Sequence, residues 1–225
     1  VPNGRRLQVI GLSKLTKLQL DALSEIANIG AGNASTSLAI MINDSIRLAV
    51  PHTRIVPIEQ LPLLTAAEFE ELVVSVYVAF EGDVTGCLLL ILKQEQALTF
   101  LDLLGLGGTR DVLELGELEK SAISETGNII ASGYLKALGS FTKLELLPAP
   151  PGVAVGMGGA VLDTLGAYLA QFAEAALVIQ VNLHSDQTAL GMELFMIPNP
   201  DGLQTILSAL GLGENMRPGD DAVTA

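Results

Sequence analysis

Tryptophan is absent, cysteine occurs once, and only 4% of the 225 residues are aromatic. The single thiol, Cys87, excludes an internal disulfide framework and a cysteine-rich zinc site. Basic residues are scarce too: 12 Lys and Arg stand against 25 Asp and Glu, for a formal net charge of −13. Such a chain repels phosphate backbones and anionic membrane surfaces, so neither nucleic acid nor a lipid bilayer is an expected partner. No apolar run approaches the ~20 residues that a membrane helix needs. The run Gly86-Cys87-Leu88-Leu89-Leu90-Ile91-Leu92 has strand length and marks Cys87 as an inert core thiol. No basic segment followed by a long apolar stretch opens the sequence, so no secretion signal is expected and the chain reads as cytoplasmic and globular.

What the sequence does have is apolar content and a duplication. Hydrophobic residues make up 49%, with a mean hydropathy of +0.48, enough for a substantial core and an interface besides. Residues 21–51 laid on 121–151 share nine identities in 31 positions without a gap, among them Ser24/Ser124, Glu25/Glu125, Asn28/Asn128, Ile29/Ile129 and Pro51/Pro151. Leu104-Gly105-Leu106-Gly107 recurs as Leu210-Gly211-Leu212-Gly213. Repeats at fixed offset imply one structural plan used twice, over about 15–107 and 116–213.

Each repeat reads as a long helix, several strands and a short helix. Thr16-x-x-Gln19 is a capping-box pattern that starts the first helix, which runs to about Ile42 before the Asn43-Asp44 turn. Segments 46–58, 72–80 and 84–92 are rich in Val, Ile, Leu and Thr and predict strands, followed by a helix over 95–104. The second repeat predicts a helix near 117–139, strands near 143–156, 175–183 and 189–197, and a closing helix over 201–210. The tail from Glu214 carries Pro218-Gly219-Asp220-Asp221 and predicts disorder. Strands that need helices over one face give an α+β class, and the duplication implies a two-layer, pseudo-twofold-symmetric single domain with long helices packed on a sheet.

On ideal helical geometry Asp21, Glu25 and Asn28 fall at about 0°, 40° and −20°, one narrow stripe that Gly32, Ser35 and Ala39 continue. Leu23, Ala27, Gly30, Ala34, Leu38 and Met41 occupy the opposite, core-facing side. In the second helix Ser121, Glu125, Asn128, Ser132 and Gly139 form the polar stripe, while Ile123, Gly127, Ile130, Tyr134, Leu138 and Phe141 face the core. Solvated Glu and Asn on one helix would need no explanation. Asn, however, disfavours helix interiors because its side chain competes for backbone hydrogen bonds. Its place at the same point of both repeats, with Gly32 or Ser132 one turn on, asks for a functional reason. The full pattern [DS]-x3-E-x2-N-x22-P occurs twice.

Glu25-Ile26-Ala27-Asn28-Ile29-Gly30-Ala31-Gly32-Asn33-Ala34 and Glu125-Thr126-Gly127-Asn128-Ile129-Ile130-Ala131-Ser132 resemble the paired signatures of the CheC family of chemotaxis phosphatases. The likeness extends over nearly the whole chain, including Val50-Pro51 and Leu61-Pro62. It implies the CheC-like fold and hydrolysis of the aspartyl phosphate on the response regulator CheY, within chemotaxis signalling. It also implies that Glu25 and Glu125 dock the regulator and that Asn28 and Asn128 are catalytic, with Mg²⁺ carried by the regulator and no cofactor of the chain's own. The receptor deamidase CheD is the second partner implied. Two other readings stay open: an adaptor for the regulator or CheD with feeble hydrolysis, or the CheC-like part of a FliY-type flagellar switch protein.

The residues themselves fit the chemistry. A carboxamide does not titrate near neutrality, so Asn28 and Asn128 are neither bases nor nucleophiles, but each can hold a water in line with phosphorus. An acyl phosphate is already electrophilic and its loose transition state asks for positioning above all. Asp21 and Ser121 are expected to support the Glu or the docking surface, and Pro51 and Pro151 to shape the start of a neighbouring loop. Other candidates fail. His52 and His184 stand in different repeats without companions at metal-ligand spacing. Gly30-Ala31-Gly32-Asn33-Ala34 mimics a dinucleotide loop but lies inside a helix. Gly156-Met157-Gly158-Gly159 lacks the Lys-Ser/Thr of a phosphate loop and reads as a bend between strands.

Overall fold

The capping box is formed. Thr16 Oγ1 accepts from Gln19 N at 3.3 Å, and Gln19 Oε1 accepts from Thr16 N at 2.9 Å, opening helix α1 over Lys17–Ile42. The same Gln19 donates from Nε2 to Leu212 O at 2.8 Å, tying the start of the first repeat to the end of the second. These features come from a computed structural model that describes residues 15–58, 71–169, 175–185, 189–199 and 201–213. The predicted tail from Glu214 and the Leu61-Pro62 pair lie outside the described residues.

After α1 come strands β1 (Arg47–Pro57), β2 (Leu72–Gly82) and β3 (Gly86–Lys93), then helix α2 (Gln94–Leu103). The second repeat supplies helix α3 (Glu117–Thr142), strands β4 (Leu146–Pro148) and β5 (Gly152–Met157), helix α4 (Gly158–Leu169), strands β6 (Ala175–His184) and β7 (Ala189–Pro198), and helix α5 (Gly202–Ala209). Both long helices end on a left-handed residue, Asn43 at φ 55° and Lys143 at φ 62°, whose N–H groups donate to Ala39 O and Gly139 O. The two repeats thus stop their helices by the same device.

All strand pairs are antiparallel, in the order β1-β6-β7-β3-β2-β4, with β5 also on β2. Strands of the two repeats interleave: β1 of the first pairs with β6 of the second, and β4 and β5 of the second pair with β2 of the first. With β4 and β5 taken as one broken strand, the order reads the same from either edge once each strand is exchanged for its counterpart in the other repeat.

The central strand β3 is buried from Cys87 to Leu92. Its side chains alternate between two apolar clusters. Leu88, Leu90 and Leu92 join the main core beneath α1 and α3, with Leu23, Leu38, Ile130 and Leu138. Cys87, Leu89 and Ile91 point the other way, into a smaller cluster with Val73, Val178, Phe195 and Ile197, against which Val161 of α4 packs. A strand covered on both faces reads as an unbroken apolar run, as Gly86–Leu92 does. Burying each Leu is worth about 1.5–3 kcal/mol, so this strand anchors the fold.

Two sequence expectations change here. The glycines of Gly156-Met157-Gly158-Gly159 do not bend one strand into another: β5 ends at Met157 and α4 starts at Gly158. The predicted strand over 143–156 is split into β4 and β5 around Ala149-Pro150-Pro151, because proline has no N–H to donate to a ladder.

Candidate functional site

Small residues decide how the long helices meet. A Cβ on Gly30 would stand 2.8 Å from Tyr134 Cα, and one on Gly133 would stand 2.9 Å from Gly30 O, so α1 and α3 touch backbone to backbone. Gly127 lies against the sheet, where a Cβ would meet Val76 Cγ1 at 2.5 Å. These contacts hold both helices on the sheet with their polar stripes turned outward.

On α1, Asp21, Glu25, Asn28 and Gly32 are exposed. On α3, Ser121 and Glu125 are exposed, while Asn128 and Ser132 are half-buried. The expected core-facing residues Leu23, Ala27, Gly30, Ala34 and Leu38 are buried, as are Ile123, Gly127, Ile130, Tyr134 and Leu138. The last turn departs from expectation. Phe141 is 49% exposed and Met41 half-buried, because the inward step from Leu38 and Leu138 is four residues, to Ile42 and Thr142, rather than three. Ser35 and Ala39 lie on the stripe only in part. Both are half-buried, and the Ser35 hydroxyl donates to Ala31 O at 2.9 Å and accepts from Leu48 N at 2.7 Å, fastening α1 to β1.

The two asparagines are oriented differently. Asn28 donates from Nδ2 to Ser24 O at 3.1 Å, while Asn128 donates from Nδ2 to Glu125 Oε2 at 3.5 Å. In both, the amide nitrogen is directed back along its own helix. The acceptor Ser24 was not singled out by sequence reasoning, although its identity with Ser124 was visible. Its hydroxyl in turn donates to Leu20 O at 2.8 Å.

Pro51 and Pro151 do not begin a loop as expected. Pro51 lies within β1, where the register against β6 shifts between Ala49 and His52, and Pro151 sits in the break between β4 and β5. Each interrupts the outer strand of its edge, a place where an unpaired N–H would otherwise invite pairing with another chain. Among the described residues no group of three or more His, Cys, Asp or Glu side chains could hold a metal ion. Nor is any described helix long and apolar enough to cross a membrane.

A duplicated α/β unit that displays Glu and Asn one turn apart on each of two helices is the class this geometry defines. The model of the CheC-like family matches residues 18–54 and 118–155, which cover the two long helices almost entirely and run on into β1 and β5. The CheY-P phosphatase CheC of Bacillus subtilis is 35% identical over 199 residues, covering 86% of this chain and 94% of that protein. This chain belongs to the CheC-like family. The flagellar motor switch phosphatase FliY of the same organism is 26% identical over 140 residues, 62% of this chain but 36% of FliY. In fold, the crystal structure of Thermotoga maritima FliY superposes with a TM-score of 0.71 at 20% identity, over 89% of this chain and 99% of that one.

Proposed function

We propose that the chain hydrolyses the aspartyl phosphate of a CheY-type response regulator, with one site on α1 and one on α3. The observation that carries this reading is the recurrence of outward-facing Glu and Asn one turn apart on both helices, in a chain 35% identical to a protein named for that activity. Each helix lies against the phosphorylated face of a regulator. Glu25 or Glu125 pairs with a lysine there and sets the register through a charge-assisted hydrogen bond. With Nδ2 engaged on its own helix, Asn28 or Asn128 presents Oδ1 to a water and holds it in line. The water oxygen bonds to phosphorus as the bond from phosphorus to the aspartyl oxygen breaks. The carboxylate stays on the regulator, and inorganic phosphate leaves with the proton lost by the water. Mg²⁺ belongs to the phosphorylated substrate, where it offsets charge on the phosphoryl oxygens.

The higher identity to CheC, 35% against 26% to FliY, favours the CheC reading over that of a switch-protein piece. Partnership with CheD is also proposed, through a surface apart from both stripes; competition between CheD and phosphorylated CheY would contradict that separation. Phosphate release from Mg²⁺-loaded CheY-P with sub-stoichiometric protein tests the activity. Many equivalents released per chain are expected. Release that stops near one equivalent, or decay no faster than CheY-P alone, would make the chain a binding protein.

A further inference from the structure

The stripe on α1 does not end at Gly32. It runs on into an open groove of about 720 Å³, where the end of the helix turns towards β1. Ser35, Thr36, Ala39, Ile40, Asn43 and Asp44 line it. On ideal geometry Ser35 and Ala39 fall at about −40° and 0° from Asp21, the same side of the helix as Asn28. Ile40 is 78% exposed, more than any other large apolar side chain among the described residues.

The corresponding end of α3 is built differently. Its cap residue is Lys143, whose Nζ donates to Ser140 O at 2.8 Å, so the chain supplies a cation to its own helix C-terminus. Lys136 adds a second positive charge where α1 has Thr36. Neither helix has a basic residue in its last turn, but in α1 the cap is neutral Asn43 and Asp44 follows directly. One Asp44 oxygen accepts from Ser45 N at 2.6 Å, which fixes the carboxylate beside the helix end. The negative end of the helix dipole and a carboxylate therefore meet at an open groove, whereas in the other repeat Lys143 occupies the helix end, with the carboxylates of Glu145 and Asp83 following at the turn.

We infer that the groove at the C-terminal end of α1 receives a lysine or arginine side chain of the regulator bound at Asn28, in the place that Lys143 fills in the second repeat. The inference rests on the phosphatase reading above. The aliphatic stem of such a side chain lies along Ile40 and Ala39, and its charged head reaches Asp44 and the last carbonyls of α1. From Asn28 to Asn43 the helix rises about 22 Å, within the span of a domain of about 100 residues, whose radius of gyration is ~13 Å. One regulator can thus cover both places. The first site then gains a contact that the second lacks, and the two differ in affinity for the same partner.

Asn43→Lys transplants the internal cation of the second repeat into the first, at a backbone position where lysine already stands in α3. It is made in a Glu125→Ala/Asn128→Ala background, which leaves the first site alone, and phosphate release is followed against CheY-P concentration. KM is expected to rise about tenfold with kcat within about twofold, and its salt dependence to flatten. Asp44→Lys should act likewise. An unchanged KM in both lysine variants, with folding verified by circular dichroism, overturns the inference while leaving the phosphatase reading intact. If the background protein releases no phosphate, that reading fails for the first site. The groove is then judged on the dissociation constant of beryllofluoride-activated CheY alone, and equal binding by Asn43→Lys overturns it. A change of oligomeric state in place of a KM change would assign the groove to a second copy of this chain and likewise overturn the inference.

Discussion

Gly30 and Tyr134 face each other main chain to main chain: a Cβ on the glycine would lie 2.8 Å from the tyrosine Cα. This contact sets the spacing of α1 and α3, and with it the placing of both polar stripes. Gly30→Ala should therefore cost about 1–3 kcal/mol, the range for overpacking, read as a lowered urea midpoint. Gly32, half a turn away, has nothing within 4 Å of its missing Cβ. Gly32→Ala should raise stability by up to ~1 kcal/mol, the ordinary helix preference for alanine over glycine. Equal effects at the two positions would contradict the close crossing.

Tyr134 is fully enclosed, and among the described residues its hydroxyl finds no hydrogen-bond partner. Tyr134→Phe should stabilise the protein by roughly 1 kcal/mol at pH 7, because it removes an unsatisfied polar atom without altering ring packing. Thermal unfolding of the variant decides this; a lowered midpoint would mean that the hydroxyl is satisfied.

Burial pushes the Cys87 thiol up to about 12 from its ordinary 9.0, against a smaller opposing effect from a Tyr77 hydrogen bond. Burial raises the Tyr134 phenol in the same direction. The folded state then holds protons that the unfolded chain releases, so this contribution to stability is whole below about pH 9 and is lost as pH rises towards 12. Unfolding free energy should fall between pH 9 and pH 11, and Cys87→Ala should make that fall shallower. In the native protein at pH 8 a thiol reagent should label Cys87 only on the timescale of unfolding. Rapid labelling would show the second face of the sheet to be open.

The helices were legible because their signals are local. Thr16 and Gln19 marked the start of α1, and the offset of 100 carried the Glu and Asn of the first repeat onto the second. Burial at one helix end was misjudged, since an i+3 step to Phe141 and an i+4 step to Thr142 differ little on a helical wheel and only packing decides between them. The helix α4 was missed because Gly158 and Gly159 masked its start, although the unbroken run at Cys87–Leu92 already asked for cover on a second face. The groove beside Asn43 was not legible either. It depends on the path from α1 into β1, and only the contrast between Asn43 and Lys143 hinted that the repeats end differently.

The central claim is that Asn28 and Asn128 position the attacking water. The most direct test is multiple-turnover phosphate release from Mg²⁺-loaded CheY-P by the wild type, each single Asn→Ala variant and the double variant. The double variant should lose about 10²–10³-fold, the scale for removing one preorganised polar group from a site, while each single variant retains the share of the intact site. Wild-type turnover in the double variant, with folding unchanged, would contradict the account.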